Sequence, residues 1–363
     1  MTRKWLRWLP AATVPAVIAA GVLAGSLPAN AGDPLPDKSP AQVLALVAGH
    51  RDAAFSGTVE QTSSLGLPEL PPASAGGDTA WLELLTGPHT ARVYRGGPEQ
   101  ARIQVLDRFA ERNVVRNGQD LWFYNSKDNT AAHAKLPAGT RPEPRQDAVP
   151  QPDRLAEALL ARLGRSGDVT VGPEAEVAGR AAYRLVLTPR SSTSLLAAVE
   201  ISVDGRNGMP LGVQVKARGQ SEPAFSVAFS KLSLEAPDAS VFRFSPPPGA
   251  AVKELPVPDH RAGDTKRPGP NAHGKVHPKG EAKVSGTGWE SVVELPAGAF
   301  AADAARQQGG NGDAAALLAK TAVPVPGGKL LSTALLNVLI LDDGRVLAGS
   351  VPLERLQAVA AGR

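Results

Sequence analysis

Asn117-Gly118-Gln119-Asp120-Leu121-Trp122-Phe123-Tyr124-Asn125 decides how the rest of the chain is read. Asn-Gly is the pair that most readily turns a chain back on itself in a β-hairpin, because both positions tolerate a positive φ. Here it separates two stretches of period two, Arg112 to Arg116 and Leu121 to Tyr124. Working outward, the same period runs through Phe55-Ser56-Gly57-Thr58-Val59-Glu60-Gln61, Trp81 to Leu85, Ala91 to Tyr94 and Ala101 to Leu106. Gly87-Pro88 and Gly96-Gly97-Pro98 mark turns between them.

Helical signals bracket this strand-rich stretch. Ser39-Pro40-Ala41-Gln42 reads as a helix start, with Ser39 as cap, Pro40 in the first turn and Gln42 closing a capping box. Leu44, Val47 and Ala48 then share one side of a helix expected to run to about Ala54. Arg141 to Pro150 is a proline-rich break, followed by a helix over Asp153 to Leu163 with a stripe of Leu155, Leu159, Leu160 and Leu163, ended by Gly164. Strands resume over Ala182 to Thr188, Ala198 to Val203, Leu211 to Ala217 and Phe225 to Leu234, with Asp204 to Gly208 as the turn in the middle. Phe242 to Gly249 contains three consecutive prolines and cannot be a central strand.

The two ends differ from this body. Residues 1–31 read as a Sec-type signal peptide: Arg3, Lys4 and Arg7, then an apolar stretch from Val14 to Leu27, then Ala29-Asn30-Ala31 as the cleavage triplet. The competing reading is a retained anchor, which Pro10 and Pro15 oppose by shortening the apolar helix. The expected location is extracytoplasmic, in the cell envelope or secreted. Lys253 to Lys283 is rich in Pro, Gly, Lys and His and poor in large apolar residues, the composition of a disordered linker. Beyond it, Trp289 to Leu295 reads as a strand, Asp313 to Lys320 as a helix, and Leu330 to Leu341 with Arg345 to Val351 as a hairpin across Asp342-Asp343-Gly344. A last helix follows from Pro352 to Ala360. The expected organisation is therefore a signal peptide over 1–31, a domain over 38–255, a linker over 256–284 and a small α+β module over 285–363.

Composition excludes several classes. The 363 residues include no cysteine, so disulfides, thiolate metal sites, cysteine nucleophiles and an acylated N-terminal cysteine are all absent. Without the three basic residues of the leader, 36 basic side chains face 35 acidic ones, which gives no case for nucleic acid. No G-x-S-x-G elbow, phosphate loop, dinucleotide fingerprint or H-E-x-x-H occurs. His260, His273 and His277 lie in the linker without a rigid carboxylate partner, and His50, His89 and His133 are isolated, as surface or satisfied core positions. Asp342-Asp343 belongs to a turn, and Glu290 and Glu294 flank a strand and are expected in solvent. The reading is a non-enzyme with no metal and no cofactor.

The order helix, strands, helix, strands resembles the LolA/LppX-type lipoprotein and lipid carriers and the related RseB/MucB regulators. The resemblance is carried by Phe55 to Gln61, Asn117 to Asn125, Val203-Asp204-Gly205-Arg206-Asn207-Gly208-Met209-Pro210, Phe225 to Ser230 and Phe242 to Gly249, over about Pro40 to Leu255. It implies an α+β fold in which a half-open, curved antiparallel barrel has its apolar face covered by lid helices. It also implies an acyl lipid or lipoprotein as partner.

An alternating strand offers one apolar face, and a curved sheet must cover that face with helices or a ligand. Candidate groove residues are Phe55, Val59, Trp81, Leu84, Tyr94, Trp122, Tyr124, Ile201, Val213, Val215, Phe225 and Phe229; the same positions equally suit ordinary core. Leu44, Val47, Leu155, Leu159 and Leu163 are the lid-helix candidates. The function expected is a carrier or chaperone that binds acyl chains without catalysis. The alternative is a sensor acting on an anti-sigma factor, in which the C-terminal module meets a membrane-bound partner.

Overall fold

The computed structural model describes residues 34–50, 53–67, 87–107, 110–137, 152, 155–156, 159–160, 166–255, 282–297 and 321–362. The leader, Trp81, Leu84, Leu163, most of the linker and the helix expected over 313–320 lie outside these residues. All the elements described belong to the compact unit Asp37–Arg363.

Alternation and turn residues produce two runs of hairpin-connected strands. The first contains β1 (Phe55–Ser63), β2 (His89–Gly97), β3 (Gln100–Asp107), β4 (Ala110–Asn117), β5 (Asp120–Asn125) and β6 (Thr130–Lys135). The second contains β7 (Gly167–Val177), β8 (Arg180–Pro189), β9 (Leu196–Asp204), β10 (Pro210–Ala217) and β11 (Phe225–Ser233). β11 pairs with β1, which joins the runs into one sheet, and β12 (Ala251–Leu255) adds to β6 in parallel. The order is β12-β6-β5-β4-β3-β2-β1-β11-β10-β9-β8-β7. The sheet is open, with β12 and β7 as its edges, yet it curls until β7 contacts β11. Sequence periodicity passes over β7 because Pro173 interrupts it; an edge strand tolerates this, and the β7–β8 register shifts between Gly172 and Ala175.

Two glycines allow close approach. A Cβ on Gly57 would sit 2.8 Å from Cδ1 of Phe229, so only glycine lets that ring lie across β1, beside the register shift between Thr58 and Val59. At Gly208 (φ 74°) a Cβ would be 2.2 Å from the Leu46 carbonyl oxygen, which brings helix α1 (Pro40–Gly49) down onto the β9–β10 turn. The capping box of α1 is formed: Gln42 N–H donates to Ser39 Oγ at 3.3 Å and Ser39 N–H to Gln42 Oε1 at 2.8 Å. The helix stops at Gly49, short of the expected Ala54, because His50 is extended. Pro152, Leu155, Ala156, Leu159 and Leu160 are helical, with Pro152 and Ala156 buried.

A smaller sheet follows, ordered β13-β14-β18-β17-β16-β15. Its strands are β13 (Lys283–Ser285), β14 (Val292–Leu295), β15 (Val323–Val325), β16 (Gly328–Ser332), β17 (Asn337–Leu341) and β18 (Val346–Gly349). Helix α2 (Leu353–Ala360) packs Leu356 and Val359 against Val292, Leu339 and Leu347.

Three boundaries differ from expectation. Lys283 and Val284 are strand rather than linker, because they pair with Glu294 and Val293. The stretch from Leu330 to Leu341 is two strands, since Thr333 N–H donates to the Leu336 carbonyl (2.9 Å) and turns the chain. A short 3₁₀ turn at Gly288–Glu290, opened by Gly286 and Gly288 at positive φ, replaces the start of the strand expected from Trp289.

The small sheet is docked on the large one. Leu195 N–H donates to the Ser350 carbonyl (2.8 Å) and Ala334 N–H to that of Leu65 (2.9 Å). Leu65, Ala217 and Ala224 form a cluster with Leu67, Ala334 and Leu335. Glu290 accepts from the hydroxyls of Ser191 and Thr193, which hold its carboxyl below the usual range. Glu290 is thus a junction residue rather than a solvated one, and Glu294 likewise pairs with Arg345 (2.9 Å).

Candidate functional site

Residues directly opposite each other in an antiparallel pair share a face, so the registers assign every side chain of the large sheet. One row on the apolar face reads Val171, Leu185, Ile201, Val213, Val227 across β7 to β11, and a second reads Val169, Leu187, Val199, Val215, Phe225. Val59 and Phe229 pair on this face, and Phe55 meets Phe229 edge-on at 5.8 Å. All of β8 to β11 in these rows is buried, with Val59, Ile201 and Val213 at 0% exposure. Removal of each such side chain from water contributes about 1.5–3 kcal/mol. The opposite face of β8 to β10 carries Arg184, Glu200 and Lys216, a ladder in which Lys216 Nζ lies 2.7 Å from Glu200.

The apolar face continues onto β2 to β6 as Val93, Ile103, Val114, Phe123, Ala132. Val93 is buried, but Ile103, Val114, Phe123 and Ala132 are only half-buried, as is Leu121 on the neighbouring row. This half-buried row is missing from the sequence candidates. The register does carry it: Asn117 pairs with Asp120 across Gly118-Gln119, which sets Val114 opposite Phe123.

Of the sequence candidates, Phe55, Val59, Ile201, Val213, Val215, Phe225 and Phe229 come together on the apolar face. Tyr94, Trp122 and Tyr124 do not. Tyr94 pairs with Ser56, Trp122 with Val115 and Tyr124 with Asn113, all on the opposite face. There Phe244 packs on Trp122 (5.6 Å) and Tyr124 (5.7 Å), and Tyr124 OH donates to Asn129 Oδ1 (3.2 Å). The aromatic run 122–124 alternates, so Phe123 faces the apolar rows and its two larger neighbours face away.

The segment after β11 crosses that opposite face as a strap. Phe242 is buried against Gly96, where a Cβ would stand 2.8 Å from the ring, and Arg102 Nη1 donates to the Val241 carbonyl (3.0 Å). Val115 and Asn113 are buried beneath it.

Helix α1 lies over β7 and β8, with Val43 and Val47 buried. Between it and Leu160 is a cleft of about 350 Å³ lined by Leu44, Val47, Ala48, His50 and Leu160. Leu155 and Leu159 are half-buried. Burial, with the Glu174 and Asp37 carboxylates, pushes the Tyr183 phenol up, so it stays neutral beside Val203 on the apolar face. Burial opposes ionisation of Asp204 in the β9–β10 turn. Arg180 and the N–H groups of Asn207 and Arg206 outweigh it and hold the carboxyl below its usual range. Among the described residues no cluster of three His, Asp or Glu is arranged to hold a metal, and no helix is long and apolar enough to cross a membrane. The arrangement offers apolar burial beside a cleft between helices.

No family model and no curated protein matches the chain. Solved structures do. The chain is similar to MucB in the Pseudomonas aeruginosa MucA/MucB complex (18% identity, 88% of this chain and 96% of that one, TM-score 0.41). It is also similar to an uncharacterized conserved protein from Thermus thermophilus (14%, 59% and 98%, TM-score 0.34) and to a LolA superfamily protein from Nitrosomonas europaea (11%, 57% and 99%, TM-score 0.24). Two of these three, MucB and the LolA superfamily protein, carry the names of families that the sequence resembles.

Proposed function

We propose that the protein is an extracytoplasmic carrier or chaperone that shelters the acyl chains of a lipid or lipoprotein, without catalysis. The observation that supports this reading is the row Ile103, Val114, Phe123, Ala132, which continues a buried apolar face but is itself half-buried. Acyl chains laid along it complete the burial, at about 0.8 kcal/mol for each methylene removed from water. The cleft lined by Leu44, Val47 and Leu160 is where the lid helices part to admit a chain. Organic extraction and mass spectrometry of the mature protein, secreted by a GC-rich bacterial host, tests the reading. Acyl lipid or lipoprotein at one equivalent is expected. An empty protein that also takes up no fluorescent fatty-acyl probe overturns it.

A second reading, a sensor that signals to a membrane-bound partner, is favoured by the small sheet docked through Glu290, Ser350 and Ala334. A carrier transfers labelled lipid between vesicles, whereas a sensor changes its affinity for that partner when lipid is loaded.

A further inference from the structure

We propose that Arg112 and Asn125 form a headgroup site beside the half-buried row, so that the cargo is an amphiphile carrying a carboxylate or phosphate. Such a site rests on the acyl-chain reading above, since the chains must lie on Ile103, Val114, Phe123 and Ala132 for the headgroup to meet it. Two residues along each strand from that row, and therefore about 7 Å away, the register sets Val105, Arg112, Asn125 and Thr130 side by side on the same face. This neighbouring row changes character part-way. Ala91 and Val105 on β2 and β3 are buried, whereas Arg112, Asn125 and Thr130 on β4 to β6 are polar and half-buried. The polar stretch flanks the same strands whose apolar row is incompletely covered.

The hydrogen bonding suits an anion. Lys127 N–H donates to Asn125 Oδ1 (2.9 Å), which ties the carboxamide oxygen to the β5–β6 turn and directs its NH₂ donors the other way. A guanidinium has five N–H donors in a planar fork, so Arg112 can keep a protein partner on one edge and still donate to two oxygens of a headgroup. Two acidic residues stand at this end of the sheet. Asp107 ends β3 opposite Ala110, and Asp128, exposed in the turn beside the exposed Lys127, accepts from the Thr130 hydroxyl (2.9 Å). On the far side of the apolar row two further arginines share the face. Arg116 donates to the Pro98 (3.3 Å) and Gly118 (3.0 Å) carbonyls and so holds turns, and Arg95 lies opposite the buried Phe55, toward the closed half. The headgroup is thereby directed to the Arg112 side.

Binding of a fluorescent fatty acid, and of the neutral alcohol with the same labelled chain, to the full mature chain stripped of lipid tests the site at neutral pH. The acid should bind about tenfold more tightly than the alcohol, the order expected for one charge-assisted hydrogen bond. Arg112→Gln should bring the acid to the level of the alcohol and leave the alcohol within about twofold of wild type. Asn125→Asp keeps an oxygen for the Lys127 N–H, and with it the turn, but sets a carboxylate against the headgroup, so it should reverse the preference. Phe123→Glu, in the apolar row, should weaken both probes. Equal binding of acid and alcohol by the wild type, or a preference that Arg112→Gln and Asn125→Asp both leave unchanged, overturns the headgroup site while the acyl-chain reading stands. A wild type that binds neither probe overturns both. Inorganic phosphate should bind far more weakly than the acid; phosphate held as tightly would mark a site for free anions and overturn the amphiphile.

Discussion

The apolar face of the large sheet has two halves built from the same alternation but left in different states. Across β7 to β11 and β1 the rows are filled by valine, isoleucine, leucine and phenylalanine, overlain by α1 at β7 and β8, and buried at Val59, Ile201 and Val213. Across β3 to β6 the rows continue through Ile103, Val114, Phe123 and Ala132, but these side chains are only half-buried. The outer faces differ in the opposite sense. Behind the closed half stands the half-buried ladder Arg184, Glu200, Lys216, and behind the other half stand Trp122 and Tyr124, covered by the strap. The sheet thus buries apolar surface on one side of one half and keeps apolar surface available on the other.

Substitutions can break or sharpen this contrast. The largest effect is expected from Val213→Asp in the closed half. An unpaired charge at a fully buried site should cost more than about 4 kcal/mol, read as loss of the cooperative denaturation transition. Asp204→Ala, which strands Arg180 and two backbone N–H groups beside α1, should cost about 3 kcal/mol in chemical denaturation. The Asp204 carboxyl titrates below its unfolded value, so its contribution is fully present above about pH 4 and is lost as pH falls through the folded value. The gap between wild type and variant should therefore narrow in acid.

Trp122→Ala, on the strap side, should cost about 1–3 kcal/mol and leave fluorescent-lipid uptake unchanged. Phe123→Glu, one residue along, should lower that uptake at least about tenfold, with a melting temperature within a few degrees of wild type, since the site is half-buried. Equal uptake by the Trp122 and Phe123 variants would erase the distinction between the two faces. Lys216→Ala should change stability by about 1 kcal/mol, since Arg184 remains beside the half-buried Glu200.

How much can be read in advance varies with the range of the interaction. The capping box at Ser39 and Gln42, the hairpin at Asn117-Gly118 and the Asp204 turn are encoded within a few residues, and each forms. Size singles out Trp122 and Tyr124 as groove residues, although pairing of Asn117 with Asp120 puts Phe123 inward. His133 stands isolated along the chain because its partners are 13 and 121 residues away. Glu290 and Glu294 read as solvated for the same reason, while folding brings the 191–193 hydroxyls and Arg345 within reach of them.

The sequence by itself determined β1 to β5 and β8 to β11, the turns at Asn117-Gly118 and Asp204, the amphipathic α1 and the absence of cysteine chemistry, because period, capping and turn preference act over a few residues. Tertiary structure decided which face each side chain joined, how far lid and strap covered the sheet, and that β12 runs parallel to β6. Those outcomes depend on backbone hydrogen bonds that almost any side chains permit and on contacts between distant residues, so no local pattern carries them.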